Sequence, residues 1–342
     1  PELGIIISNT TEMGIQLVKD DDITRLPPVS FPGKLLAFLY ERFKAFGGTP
    51  ESGLVIIPTE LLPDNGKVLE SIVMELAMLN GLEDEFIEWL ENANHFCSSL
   101  VDRIVTGMPS PEERDVIFRQ LGYKDDLLTV SEVYGLWAIE GNEKIKERLS
   151  FSMVNPEVKI EPDINVFREL KLRLLNATHT LSSGIAFLAG IDTVKDAMSH
   201  EDMAVFIESL MTNEIAPAIP MKISDEIKRQ FIHDVLDRFR NPHIDHHWKT
   251  IAQNYSQKLK LRCLPLLVNH FKSCENTLPL ITLGFAAWIE YMKVARYESG
   301  KYYGKLDGEY YLIDDALARK FFSGTKPKSN EELVSEILGD NS

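Results

Sequence analysis

The chain has 342 residues, with 36 Lys and Arg against 52 Asp and Glu, a formal net charge of −16. Hydrophobic residues make up 44% and charged residues 26%, the balance of a folded protein with apolar material for about two cores. The acidity excludes a broad nucleic-acid or anionic-membrane surface, and any anionic ligand needs a local basic cluster working against the global field. Leu3 to Ile7 opens the chain as a continuous apolar run, which predicts a buried strand. A domain seldom enters through a central strand, so the reading expects a segment missing before Pro1. Pro32 to Phe46 has helical spacing, with Leu35, Leu36, Leu39 and Phe43 on one face, and Gly47-Gly48 stops it. Leu54 to Ile57 is a second buried strand, ended by Pro58; Lys67 to Asn80 and Asp84 to Asn94 are helices; Leu136 to Ile139 is a third strand after a charged stretch from Glu112 to Asp126. This rhythm implies a parallel or mixed sheet covered by helices.

Beyond a Pro-bounded connector at Glu157 to Asp163, the pattern turns helical: Phe167 to Thr180, Gly184 to Phe187, Thr193 to Ala197, Glu201 to Thr212, Asp225 to Phe239, His247 to Ser273 and Leu278 to Tyr297. Only Tyr310 to Ile313 hints at a strand. The fold class is therefore α/β plus all-α. Three cysteines, Cys97, Cys263 and Cys274, have no framework spacing and read as reduced thiols of a cytoplasmic protein. The longest apolar candidate, Ile185 to Ile191, is too short and glycine-broken for a membrane span.

The segment Lys171-Leu-Arg-Leu-Leu-Asn176-Ala-Thr-His179 carries the densest chemistry. At 3.6 residues per turn, His179 lies about 80° and Asn176 about 140° from Lys171 on one helix. Leucines surround them, so three polar groups share part of a helix that is otherwise apolar, a costly arrangement. A Lys in a pocket shifts towards neutrality and serves as a general base; an amide holds an alkoxide. The alternative is a surface Lys, a capping Asn and a satisfied core His. Lys258 and Arg262 are four residues apart and share a helix face, either as a carboxylate grip or as a solvated charged face. His243 and His247 have the i,i+4 spacing of a metal pair, but no Glu completes an H-E-x-x-H frame and no Cys or carboxylate set is spaced with them, so no metal is expected. His246 or His247 beside a substrate carboxylate is the favoured role, with His247 taken as the contact. No G-x-G-x-x-G run occurs.

Lys171-x4-Asn176-x2-His179 resembles the signature of the polyol-specific long-chain dehydrogenases, the mannitol dehydrogenase family. Ser99-Leu-Val-Asp-Arg-Ile104 resembles that family's S-M-V-D-R-I, and Asn241-Pro242 opening a helix resembles another of its landmarks. Ile7-Ser-Asn-Thr-Thr-Glu12, Ile56-Ile-Pro-Thr-Glu-Leu61 with Asn65-Gly66, His95-Phe-Cys-Ser-Ser99, His246-His-Trp248 and Lys258-Leu-Lys-Leu-Arg262 are similar to its tagaturonate-reducing branch. The resemblance covers nearly the whole chain. It implies that residues 1–160 are the C-terminal portion of a Rossmann-like NAD-binding domain. Residues 161–325 are then the helical domain, and 326–342 a polar tail with a short helix.

The resemblance further implies a metal-free, NAD-dependent oxidoreductase of a small sugar acid, interconverting D-tagaturonate and D-altronate. Lys171 is then the acid/base, Asn176 polarises the reacting oxygen and His179 orients substrate. Asn9, Thr10, Val101 and Asp102 lie by the cofactor, although Thr11 and Glu12 also suit a helix N-cap. Asp102, Arg103, His247, Lys258 and Arg262 bind substrate. The bland reading of Asp102 and Arg103 is a surface ion pair. Where the mannitol branch has an oxyanion asparagine this chain has Leu61, and Asn65 is the expected substitute. No nucleic acid or membrane partner is expected, and the oligomer is at most weak. Without a glycine loop, the chain as given is expected to bind NAD weakly and to be inactive. The alternatives are a fructuronate reductase or mannitol-type enzyme of the same family, and a non-catalytic helical binding module.

Overall fold

The computed structural model describes residues 2–10, 13–322 and 329–339 and divides into two units, Pro1–Phe167 and Arg168–Ser342. Thr11, Glu12 and part of the polar tail lie outside the described residues. The first unit runs β1 (Ile5–Ser8), α1 (Phe31–Phe46), β2 (Val55–Pro58), α2 (Asn65–Leu79), α3 (Asp84–Ala93), β3 (His95–Phe96), β4 (Ser99–Asp102), β5 (Val105–Gly107), α4 (Pro111–Leu121), β6 (Val130–Ser131), β7 (Leu136–Glu140), α5 (Glu143–Arg148) and β8 (Val158–Glu161). β1, β2 and β3 form a parallel sheet in that order. β2 is its centre: Leu54 and Ile56 face Leu36, Leu39, Leu69, Val73 and Phe86, while Val55 and Ile57 face Ile139, Ile145 and Ile160. Both faces of β2 are covered, which explains its unbroken apolar run.

Ser30 caps α1 by accepting from the Gly33 amide, and Gly47 ends it at a left-handed φ of 65°. Among the described residues β1 lies at the end of this three-strand order, and Ile7 is 54% exposed. The expected connector at Glu157 to Asp163 is corrected, because Val158–Glu161 is a strand parallel to β7, with Val158 and Ile160 buried. The charged stretch after Glu112 folds as α4, which has a Ser110–Glu113 capping box and buries no residue.

The second unit continues from α6 (Asn165–Leu170), whose last residues enter it, through a π-helical segment, Lys171–Ala177, into α7 (Thr178–Leu188). The two helices expected at Phe167 to Thr180 and Gly184 to Phe187 are thus one path. Gly184 does not break it, because the absence of a side chain there admits Tyr255 and the Ala287 backbone, which a Cβ would meet at 2.8 and 3.0 Å. Then follow α8 (Val194–Ser199), α9 (Glu201–Ser209), a second π segment (Leu210–Ile215), α10 (Ala216–Ala218), α11 (Asp225–Phe239), α12 (Trp248–Ile251), α13 (Tyr255–Arg262), α14 (Leu264–His270) and α15 (Pro279–Tyr291).

The long helix expected from His247 to Ser273 is broken twice. Asn254 takes a left-handed φ of 51°, and Pro265 starts a new helix. Nor is the unit all-helical: β9 (Arg296–Glu298), β10 (Lys301–Leu306) and β11 (Glu309–Ile313) form an antiparallel meander that seats Tyr311 and Ile313 in the core. α16 (Leu317–Phe321) and α17 (Asn330–Gly339) complete the described residues. Among these no helix is long and apolar enough to cross a membrane.

Candidate active site

In the second unit the π segment changes the geometry expected for Lys171 and Asn176. A π turn closes i→i+5 and winds more slowly per residue than an α turn. It brings Asn176 closer to the face of Lys171 than the about 140° of an α-helix. The Asn176 side-chain amide makes no hydrogen bond with the described residues, while its backbone carbonyl accepts from Thr180 Oγ1 at 2.9 Å and Arg262 Nη1 at 3.4 Å. His179, one turn on, is buried. Its ring stacks on Phe239 at 4.3 Å and meets the edges of His246 (5.0 Å) and Trp248 (6.0 Å). Its Nε2 has no hydrogen-bond partner among the described residues. A buried imidazole nitrogen without a partner is costly, and a hydroxyl-bearing ligand satisfies it.

The cations come from α13. Lys258 and Arg262 share a face, and Lys258 Nζ donates to the Ile251 carbonyl at 2.8 Å. Neither residue has a carboxylate partner among the described residues. Burial lowers the pKa of both, and for Lys258 the neighbouring Arg262 adds to it. Burial also pushes the His179 pKa well down, helped by neighbouring His246, Arg262, Arg238 and Lys258. His246 is lowered too, by burial and then by Lys258 and His247. Burial and the neighbouring cations thus favour the neutral forms of both imidazoles, beside two cations that have no carboxylate partner among the described residues.

This has a consequence for stability. In the unfolded chain the His179 imidazole takes a proton near its ordinary value of 6.5; in the folded protein it does not. The unfolded state binds more protons below that pH, so stability falls as pH drops. Between pH 7.5 and 5.5, urea unfolding of the wild type is expected to lose stability more steeply than His179→Phe, the difference approaching about 1.4 kcal/mol per pH unit. Equal slopes would contradict a buried neutral His179.

Arg173, buried on the π segment, pairs with Glu169 at 2.9 Å and donates from Nη1 to the carbonyls of Leu261 and Arg262 at 2.8 Å each. It thus caps the C-terminus of α13 and fixes Arg262 in place. Arg173→Met is expected to lower unfolding free energy by about 3–5 kcal/mol, because it strands the half-buried Glu169 and two carbonyls. Denaturant titration reads this directly.

Several expected site residues lie elsewhere or are occupied. His247 is exposed, with Nδ1 3.1 Å from Asp192, so His246 is the one that joins His179. Asn241-Pro242 does not open a helix; it follows the end of α11, and Asn241 Oδ1 accepts from the His243 amide.

In the first unit, Asn65 is fully buried and wholly used by the backbone. Its Nδ2 donates to the Pro58, Glu60 and Ser99 carbonyls, and its Oδ1 accepts from the Gly66 and Ser99 amides. It cannot replace the oxyanion group absent at Leu61, which is 63% exposed. Arg103 is exposed and bonds Glu157 at 2.7 Å and the Tyr134 carbonyl, so it is a surface ion pair, though not with Asp102. Val101 and Asp102 close β4, with Asp102 buried. At the carboxyl end of β1, Asn9 is exposed, whereas the amide and hydroxyl of Thr10 and the Ser8 hydroxyl all bind the buried Glu60 carboxylate. Ser98, after β3, has a buried hydroxyl without a partner among the described residues.

Residues 1–152 match the mannitol dehydrogenase Rossmann domain, and residues 163–327 match the mannitol dehydrogenase C-terminal domain. The altronate oxidoreductase of Bacillus subtilis (strain 168) is 42% identical over 341 residues, covering 99% of this chain and 67% of that protein. The chain belongs to the mannitol dehydrogenase family. The altronate oxidoreductase of Klebsiella pneumoniae (strain 342) is 38% identical, over 99% of this chain and 69% of its own length. The chain thus spans about two thirds of the length of these relatives.

Solved structures agree on the mannitol dehydrogenase fold. A substrate-free D-sorbitol dehydrogenase superposes with a TM-score of 0.71 at 20% identity, covering 98% of this chain and 71% of that one. The Pseudomonas fluorescens mannitol 2-dehydrogenase ternary complex with NAD and D-mannitol gives 0.62 at 21% identity, over 98% and 66%. Sequence reasoning missed the π segment and the stacking platform of Phe239. Phe239, on the inner face of α11, carried no polar signal of its own.

Proposed function

We propose that the protein is an NAD-dependent oxidoreductase that interconverts D-tagaturonate and D-altronate. The observation that carries this is the half-buried Arg262 beside Lys258, neither with a carboxylate partner among the described residues, next to Asn176 and His179. A neutral polyol leaves that charge uncompensated; a sugar acid neutralises it. The altronate oxidoreductase relatives support the same substrate.

The strand ends of the first unit fit a dinucleotide's hydroxyl-rich parts rather than its phosphates. Asn9 is exposed there and offers an amide to a hydroxyl group, while the Glu60 carboxylate is buried and held by Ser8 and Thr10. Asn9, Thr10, Val101 and Asp102 are the residues proposed to hold the cofactor. When bound, its reduced nicotinamide supplies the hydride. Lys258 and Arg262 grip the carboxylate at the far end of the substrate from its ketone. The Asn176 amide, without a hydrogen-bond partner among the described residues, donates to the ketone oxygen and holds the growing negative charge. Lys171 delivers the proton that converts alkoxide to alcohol; in the oxidative direction it takes that proton back. His179 Nε2 orients a substrate hydroxyl in its buried, neutral form. The unpaired cysteines support a reducing, cytoplasmic setting.

The test is NAD reduction with D-altronate, D-mannonate and D-mannitol as separate substrates. D-altronate is expected to have the highest kcat/KM. A preference for D-mannonate would move the reading to fructuronate reduction, and a preference for D-mannitol would remove the carboxylate grip altogether.

A further inference from the structure

Arg262 is held from one side only. Nη1 donates to Thr180 Oγ1 at 3.1 Å and to the Asn176 carbonyl at 3.4 Å, and the Thr180 hydroxyl donates to that same carbonyl at 2.9 Å. Nε and Nη2 make no hydrogen bond or ion pair with the described residues. A guanidinium is a rigid planar fork. A carboxylate that binds the free Nε and Nη2 edge therefore fixes the plane that also carries Nη1. Fixing Nη1 fixes the three-way knot of Arg262, Thr180 and the Asn176 backbone, from which the Asn176 side chain projects. Lys258 has no such link, since its ammonium bonds only the Ile251 carbonyl.

We propose that Arg262 is a positioning residue that converts capture of the substrate's carboxylate into correct placement of the Asn176 amide, so that the acid group speeds the chemical step as well as binding. This rests on the proposed sugar-acid reaction and adds to it. A plain anion-binding residue acts on KM alone; here the remote group's binding energy is realised in the transition state. The two roles separate once the carboxylate is supplied apart from the ketone.

The experiment uses D-tagatose, the neutral ketose with a hydroxymethyl group where D-tagaturonate has its carboxylate, with and without sodium formate. In the wild type, formate is expected to raise kcat for D-tagatose by about tenfold. Arg262→Gln is expected to abolish that activation and to lower the D-tagatose kcat although this substrate has no carboxylate to lose. Arg262→Lys, with the charge but not the fork, is expected to recover KM for D-tagaturonate more than kcat. Activation by formate that vanishes in Arg262→Gln supports the coupling. No effect of formate, with a variant defect confined to KM for D-tagaturonate, overturns it. If neither ketone turns over, the proposed reaction fails, and amide hydrogen exchange across residues 171–180 decides the coupling on its own. Slower exchange with formate in the wild type but not in Arg262→Gln supports it, and identical exchange in both overturns it.

Discussion

Lys171→Met is expected to lower kcat for D-tagaturonate reduction by about 10²–10⁴-fold, the range that a positioned acid/base contributes. The effect should fall on kcat far more than on KM, since the proton moves only as the alkoxide forms and the carboxylate grip proposed for α13 keeps both its side chains. The same loss is expected for D-altronate oxidation, because one group serves both directions. Steady-state kinetics in both directions check this. A defect confined to KM would make Lys171 a binding residue and leave the proton donor elsewhere.

Asn176→Ala is expected to lower kcat by about 10²–10³-fold, the cost of removing one oxyanion donor. The fold itself should tolerate the change, because the Asn176 side chain makes no hydrogen bond with the described residues and only its backbone carbonyl is used by Thr180 and Arg262. Asn176→Asp is expected to be worse than Asn176→Ala, since a carboxylate opposes the developing negative charge. Unfolding titrations beside the kinetics separate the two effects. An alanine variant with normal kcat would show that the amide does not meet the reacting oxygen.

The helical faces of the first unit were readable because burial there obeys simple periods. Leu35, Leu36 and Leu39 repeat at helical spacing, and Val55 to Ile57 is apolar because both faces of that strand are covered. Val158–Glu161 was lost between Pro156 and Pro162, although its buried-exposed alternation is that of a strand.

The meander also had a signal. Ser299-Gly300 and Asp307-Gly308 both sit at positive φ, at 51°, 80°, 47° and 93°, the backbone of tight two-residue hairpin turns. Asp-Gly between tyrosine-rich runs is a strong hairpin mark, and the helical context masked it.

In the site, spacing put Lys171, Asn176 and His179 on one helix and Lys258 with Arg262 on one face, the roles proposed for them came from the family resemblance, and the π segment was not legible. The π segment is tied to α13 by Arg173 and lies beside the second π segment, long-range contacts that local spacing does not announce. The choice between His246 and His247 was equally closed to sequence. Adjacent residues ahead of a helix point in different directions, and only the fold shows that His246 meets His179 while His247 faces Asp192.

The most direct test of the central claim is NADH oxidation with D-tagaturonate, D-fructuronate and D-fructose as sole acceptors, run in parallel on the full-length protein and its Lys171→Met variant. The account predicts turnover that is fastest with D-tagaturonate and collapses in the variant. A folded, NADH-binding wild type that reduces none of the three, or a variant that reduces D-tagaturonate as fast as the wild type, would contradict it.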